Sequence, residues 1–305
     1  MSKVTIVIVN WNGIRDTIRC LESIERIKKQ GIDLTTVVVD NGSTDGSVAT
    51  LKKKFAWVVI LALPRNLGFT GGNNAGMRYA ISHGGDFVWL LNNDTLVHPD
   101  ALRITKAFED EAVGIAGSKI YFAPGHEYHR DRYKEADKGK VFWYAGGLVD
   151  WDNMYASHKG VDEVDHGQYD AVERTPFISG CSMMIRRAVI ESIGYLDEKF
   201  YLYLEDLDYC LRAKKRGYEL VYYPSSVIWH VNAGSSGGAG NPLHDYYITR
   251  NRLLVGWRYA SLRTKLALVR EGARFLLGAN AVKRWAVWNA LVGKWGKQYE
   301  PKKIT

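Results

Sequence analysis

Apolar and polar positions along the first hundred residues fall into repeating blocks. Residues 4–9 (VTIVIV) form a short, nearly continuous apolar run, after which Ile14, Ile18, Leu21, Ile24 and Ile27 recur at helical spacing. Residues 34–40 (LTTVVVD), 57–63 (WVVILAL) and 86–91 (DFVWLL) repeat the strand pattern, with helices expected from Ser47 and from Asn73 to His83. Apolar strands separated by helices predict an α/β fold, a mostly parallel sheet covered on both faces. Further on, SVIWHV (226–231) reads as a strand ending near His230, and FYLYLEDLDYCLR (200–212) as a helix. On that helix Leu204, Leu207, Cys210 and Leu211 share a face, Asp206 borders it and Glu205 points away. After Gly256 the chain reads as helical, so the expected division is a catalytic unit at 1–255 and a C-terminal helical extension at 256–305.

Each predicted strand runs into polar residues: Asn10-Trp11-Asn12, Asp40-Asn41, Arg65-Asn66 and Asn92-Asn93-Asp94. One such cluster would be ordinary turn chemistry. Four at the carboxyl ends of parallel strands predict a ligand site, because ligands in such sheets bind there. The first turn, VNWNG, lacks the G-x-G-x-x-G pattern of dinucleotide folds, and no G-x-x-x-x-G-K-[ST] occurs. Asp40 suits hydrogen bonds from a ribose hydroxyl or a pyrimidine N–H, or a turn cap. Asp94 suits a hard cation such as Mg2+ or Mn2+, which takes oxygen ligands and keeps positions open for phosphate.

Composition narrows the class. The 305 residues are 46% hydrophobic and 12% aromatic, which suits a packed globular protein. Three scattered cysteines suggest no disulfide framework and point to a reducing compartment. The N-terminal apolar stretch is too short for a signal peptide and no segment reads as a membrane span, so a cytoplasmic protein is expected. The net charge of +8 is uneven: from Arg250 onward thirteen Lys and Arg face two acids, a local +11, while the remainder carries −3. In the tail Trp257, Tyr259, Phe275, Trp285, Trp288 and Trp295 lie among those bases, a composition suited to the cytoplasmic face of a membrane. Packing on the catalytic unit, or on another subunit in a homo-oligomer, is the alternative.

The motifs VNWNG, VVVDNGSTDGS, RNLGFTGGNNAG, LLNNDT, FISGCSMMIRRAVIESIGYLDEKFYLYLEDLDYCLRAKKRGY and WHVNAGSS occur in colinear order over residues 3–255. Together they resemble family 2 glycosyltransferases of the GT-A fold, in the bacterial branch of rhamnosyltransferase-like enzymes of cell-surface polysaccharide assembly. The resemblance implies a metal-dependent, inverting transfer from a nucleotide-diphospho-sugar. It makes Asp94 a metal ligand; the family's usual Asp-x-Asp is here Asn92-Asn93-Asp94, which leaves Asn92 for the ribose or a metal-bound water. It makes His230 a second ligand, whose nitrogen leans toward Mn2+ over Mg2+. The Glu-Asp pair matches Glu205-Asp206, with Asp206 the expected base and Glu205 the runner-up. Asn10 and Asp40, with Asn12 in the same turn, would hold the base and ribose; Asn66, Gly72, Asn73 and Asn93 would line the donor pocket. Arg250 and Arg252 are placed to grip phosphates, or to lie on a solvated helix face. The run from Ala233 to Gly240 is expected to form a mobile flap.

dTDP-rhamnose is the favoured donor by resemblance, with UDP-sugars next, and the acceptor would be a glycan or a polyprenyl-diphosphate-linked glycan. A sugar-nucleotide pyrophosphorylase would want a Gly-rich, basic N-terminal loop that VNWNG does not supply. Nucleic acid is not an expected partner, since no recognised module accompanies the basic tail. Residues 123–175 hold a charged loop and a hairpin near the acceptor; their His and Asp spacing fits no standard metal site.

Overall fold

In the computed structural model, which describes residues 1–231 and 240–300, a ten-stranded mixed sheet organises the chain. Its parallel half contains β1 (Lys3–Asn10), β2 (Asp33–Asp40), β3 (Val59–Ala62) and β4 (Phe87–Asn92). These are the continuous apolar runs of the sequence; the β-branched side chains of β1, β2 and β4 are mostly buried, on both faces, while those of the edge strand β3 are only partly so. The helices between them are α1 (Ile14–Ile24), α2 (Ser47–Lys54) and α3 (Gly68–Ser82). α3 starts earlier than expected because its glycines are demanded by packing: a Cβ on Gly72 would lie 2.7 Å from Val9 Cγ1 of β1. Trp57 stays half exposed, its indole donating to Glu25, so the third strand is shorter than its apolar run.

The other half is built from β5 (Thr95–Val97), β6 (Val113–Phe122), β7 (Phe142–Tyr144), β10 (Glu173–Arg174), β11 (Ser182–Arg186) and β12 (Glu219–His230). β11 runs antiparallel between β4 and β6, and β12 lies parallel to β6, giving the order β10-β12-β6-β11-β4-β1-β2-β3. β8 (Gly147–Asp150) and β9 (Tyr155–His158) form the expected hairpin. Pro99 precedes a 3-10 helix at Ala101–Glu109. The acids of the 123–175 segment bind cations and hydroxyls: Lys119 pairs with Asp165 and Asp170, and Tyr133 donates to Asp162. Cys20, Cys181 and Cys210 are all free and buried.

α4 (Arg187–Ile193) and α5 (Glu205–Lys215) lead into β12; α6 (Pro242–Tyr259), α7 (Leu262–Leu277) and α8 (Ala281–Leu291) follow. The boundary expected at 255/256 falls inside α6, a single helix that packs against both α7 and α8. The Ala233–Gly240 run expected as a flap lies outside the described residues except for Gly240.

Candidate active site

The parallel register puts Asn10 of β1 opposite Asp40 of β2, and Val9 opposite Asn92 of β4. Three of the predicted polar ends therefore meet on one rim. Asn10 is fully buried and acts as its hub. Its Nδ2 donates to Asp40 Oδ2 at 2.8 Å and to Ser43 Oγ at 3.1 Å, while its Oδ1 accepts from Thr17. Asp40 Oδ1 accepts from the Ser43 amide. Asn12 adopts a left-handed φ of 51° and accepts from the Thr44 amide, fastening the first turn to the second. Asn93 completes the chain by donating to Thr17. Ser43 and Thr17 were not singled out in the sequence, because their roles depend on turns meeting from different strands.

The neighbouring loop is held by two amides. Asn41 donates to the Gly68 carbonyl and to Asn66 Oδ1 and accepts from the Leu67 amide; Asn66 Oδ1 also accepts from Gly68. Asn73 is buried and donates to the Phe69 carbonyl within its own helix. Asn66, Gly72 and Asn73 thus shape the loop and its packing, with Asn66 Oδ1 and Asn73 Nδ2 engaged within it.

β5 and β12 pair so that His230 stands opposite Thr95, next to Asp94. The His230 Nε2 and Asp94 Oδ1 atoms come within 3.2 Å, both side chains largely buried. The Trp143 ring packs edge-on against His230 at 4.6 Å between centroids. His230 Nδ1 is buried and has no hydrogen-bond partner among the described residues. One carboxylate oxygen and one imidazole nitrogen at this separation suit a shared divalent cation. Among the described residues no three His, Cys, Asp or Glu side chains could hold one by themselves, so Asp94 and His230 are the side chains here that would hold such an ion. Asp16, on α1, adds a second carboxyl nearby: burial first, then the charge of Asp94, raises it above the ordinary range. No motif marks Asp16.

The second acidic centre opens α5. Asp206 Oδ2 accepts from the Gly180 amide at 3.0 Å and Oδ1 from Leu207 at 2.8 Å. Burial pushes its carboxyl up, and those amides pull it back. Glu205 is not on an outward face as the helical wheel implied. It is 5% exposed, its Oε2 has no partner among the described residues, and it is more buried than Asp206. The wheel assumed one buried face, whereas α5 is buried on most sides, and Leu204 is its cap, outside the helix. The two acidic centres adjoin through residues 180–181. Gly180 donates to Asp206, the Cys181 carbonyl accepts from the Asn92 amide, and the Cys181 thiol is raised by burial and by the charges of both Asp94 and Asp206.

The loop entering α5 is strained. Tyr201, Tyr203 and Leu204 all have left-handed φ, 65°, 69° and 66°, at a cost on the order of 1–3 kcal/mol each. Arg250 and Asn251 of α6 hold it. Arg250, fully buried, donates to the carbonyls of Lys199, Phe200 and Gly296; Asn251 places its amide nitrogen 2.8–3.0 Å from the carbonyls of Phe200, Leu202 and Tyr203. Arg252 pairs with Glu271 and the Asn153 carbonyl. Both arginines, expected at the phosphates, therefore spend their guanidinium groups on the fold. Gly68 meets the same loop: with φ +76° and Tyr201 packed against it, it leaves no room for a Cβ.

Glu205 carries a pH prediction. Burial, then the neighbouring Asp206 charge, raises its carboxyl well above the usual carboxylate range. Its folded pKa exceeds its unfolded one, so its stabilising share is complete below about pH 4 and is lost as pH rises through the folded value. Glu205→Gln should therefore melt increasingly above wild type as pH rises. Thermal melts from about pH 5 to pH 9 check this; an offset independent of pH would exclude a raised Glu205.

The profile of glycosyltransferase-like family 2 matches residues 2–252. The N-acetylglucosaminyl-diphospho-decaprenol L-rhamnosyltransferase of Mycobacterium tuberculosis is 26% identical over 220 residues, covering 67% of this chain and 68% of its own. The dTDP-rhamnosyl transferase RfbF of Shigella flexneri is 25% identical over 269 residues, covering 83% and 80%. Against the low-salt glycan biosynthesis hexosyltransferase Agl10 of Haloferax volcanii, at 26% identity and 70% of this chain, the match spans only 62% of the relative's length. The solved structure of GalNAc-T7 with UDP, GalNAc and Mn2+ superposes at a TM-score of 0.66 and 16% identity, over 95% of this chain and 55% of that one, and shares the GT-A fold. The mixed-sheet topology, the polar rim at its strand ends and the profile over residues 2–252 agree: the chain belongs to glycosyltransferase-like family 2, with relatives in its rhamnosyltransferase-like branch.

Proposed function

We propose that this glycosyltransferase performs an inverting transfer from a nucleoside-diphospho-sugar to a hydroxyl of a glycan or polyprenyl-diphosphate-linked glycan, in cell-surface polysaccharide assembly at the cytoplasmic side of the membrane. dTDP-rhamnose is the favoured donor and a UDP-sugar the second. The observation that carries the reading is the bridge at residues 180–181, which sets the Asp94–His230 pair beside the Glu205–Asp206 pair. The names of the two rhamnosyltransferase relatives support the donor sugar, and a decaprenol-linked substrate in one of them supports the acceptor class. A divalent cation is supported by the Asp94–His230 donor set and by the Mn2+ of the solved GalNAc-T7.

The chemistry follows from what the side chains offer. Asp40, with Asn12 and Asn92 on the same rim, receives the nucleoside, and Asn10 braces the Asp40 carboxylate from within. An acceptor hydroxyl brought against Asp206 would lose its proton to that carboxylate, the O–H bond breaking as the oxygen bonds to the anomeric carbon. The bond from that carbon to the diphosphate breaks in the same displacement, its electron pair leaving with the diphosphate. A cation held by Asp94 and His230 would neutralise that leaving charge. No nucleophilic intermediate is required, and a single displacement inverts the centre.

A panel of nucleotide sugars tests this. dTDP-rhamnose, or failing that a UDP-sugar, should raise the melting temperature and release nucleoside diphosphate in a metal-dependent way. No stabilisation and no turnover across dTDP-, UDP- and GDP-sugars would remove the proposal.

A further inference from the structure

The tail helices carry a surface that the active site does not use. On α7 the exposed apolar residues Leu262, Leu266, Val269, Ala273 and Leu277 follow one another at intervals of four, three, four and four, the spacing of a single helical stripe. Leu262 is 75% exposed and Leu277 90%, so the stripe faces solvent. The opposite side of α7, with Thr264, Leu268 and Gly272, is buried, which anchors the helix to the body. Arg263, Arg270 and Arg274, all exposed, run beside the stripe at matching helical intervals. α8 repeats the design: Ala281, Trp285, Trp288 and Val292, at intervals of four, three and four, are all exposed. Trp257, 69% exposed at the end of α6, carries the Lys265 ammonium 5.7 Å from its ring.

We infer that α7 and α8 form a docking face for an anionic lipid bilayer, lying in the interface with the apolar stripe inserted and the bases against headgroups. Among the described residues no helix is long and apolar enough to cross a membrane, so the contact is superficial. Charge decides between occupants. α7 and α8 hold six Lys and Arg and a single acid, Glu271, which is paired with Arg252. A second copy using the same face would bring Arg270 and Arg274 against their own counterparts; Arg263 meets exposed Asp152, but α7 and α8 themselves add no carboxylate beyond Glu271. An acidic bilayer satisfies both features together, apolar burial and cation pairing, with tryptophans at the headgroup level. The inference concerns residues away from the catalytic rim, so it stands or falls separately from the donor and acceptor chemistry.

The test is co-sedimentation of the full chain with vesicles of phosphatidylcholine alone or mixed with phosphatidylglycerol, at low and high salt. Binding should require the anionic lipid and weaken with salt. The triple variant Leu266→Ser/Val269→Ser/Leu277→Ser should bind about tenfold more weakly or less, as should Arg270→Glu/Arg274→Glu. Both sets are exposed, so nucleotide-induced thermal stabilisation should match wild type and report an intact fold. Equal binding by the variants, or no binding to anionic vesicles, overturns the inference. Concentration-dependent dimers in sedimentation velocity that these variants abolish would assign the face to a second copy instead.

Discussion

Asp206→Asn is expected to lower turnover on the order of 10²–10⁴-fold, the usual cost of removing a general base. The amide retains the shape of the carboxylate and can still accept one of the two backbone hydrogen bonds, from Gly180 or Leu207. Losing the other should cost about 1 kcal/mol, so thermal stability falls only slightly. Donor-induced stabilisation should persist, because Asn10, Asp40 and Asp94 are untouched. If Asp206 were merely holding the turn at Gly180, catalysis would survive while stability fell. Glu205→Gln run alongside distinguishes the neighbours. A dead Glu205→Gln with an active Asp206→Asn would move the base by one residue, to the more buried carboxyl.

Asp94→Ala should reduce turnover by at least about 10²-fold, since the departing diphosphate loses its counter-charge. A second readout does not depend on turnover: calorimetric binding of nucleoside diphosphate should lose its dependence on added Mn2+ or Mg2+. The substitution also removes the partner 3.2 Å from His230 Nε2. His230→Ala should weaken the same metal titration while sparing the fold. An Asp94→Ala protein with full metal-dependent turnover would end the assignment of this pair as the cation site.

The parallel half of the sheet was legible because each of its strands is a continuous apolar run, and runs buried on both faces look alike wherever they occur. β6 was not expected from the pattern. It is buried throughout, yet Gly114, Gly117, Ser118 and Lys119 interrupt its apolar residues. Lys119 is tolerated there only because Asp165 and Asp170 reach it from a distant loop. Asp208 was equally hidden. Fully buried in α5, it is matched by Arg212 one turn on and by Arg258 and Tyr259 of α6, fifty residues downstream. Motif resemblance singled out Asp94, His230, Glu205 and Asp206, while the posture of each depended on pairings no local pattern encodes. Arg250 and Arg252 show the converse. Two cations in a polar-looking helix suggested phosphate, but burial had already committed them to carbonyls and a carboxylate.

The grip of Arg250 and Asn251 on the loop before α5 also orders events in time. A chain made from its N-terminus forward exposes every strand of the sheet before these two residues exist. Until then the left-handed backbone at Tyr201, Tyr203 and Leu204 lacks the grip of Arg250 and Asn251 on its carbonyls. Arg250 itself is completed only when the Gly296 carbonyl arrives from beyond α8. A nascent chain therefore has the strands of its sheet well before the turn that carries Asp206 is secured.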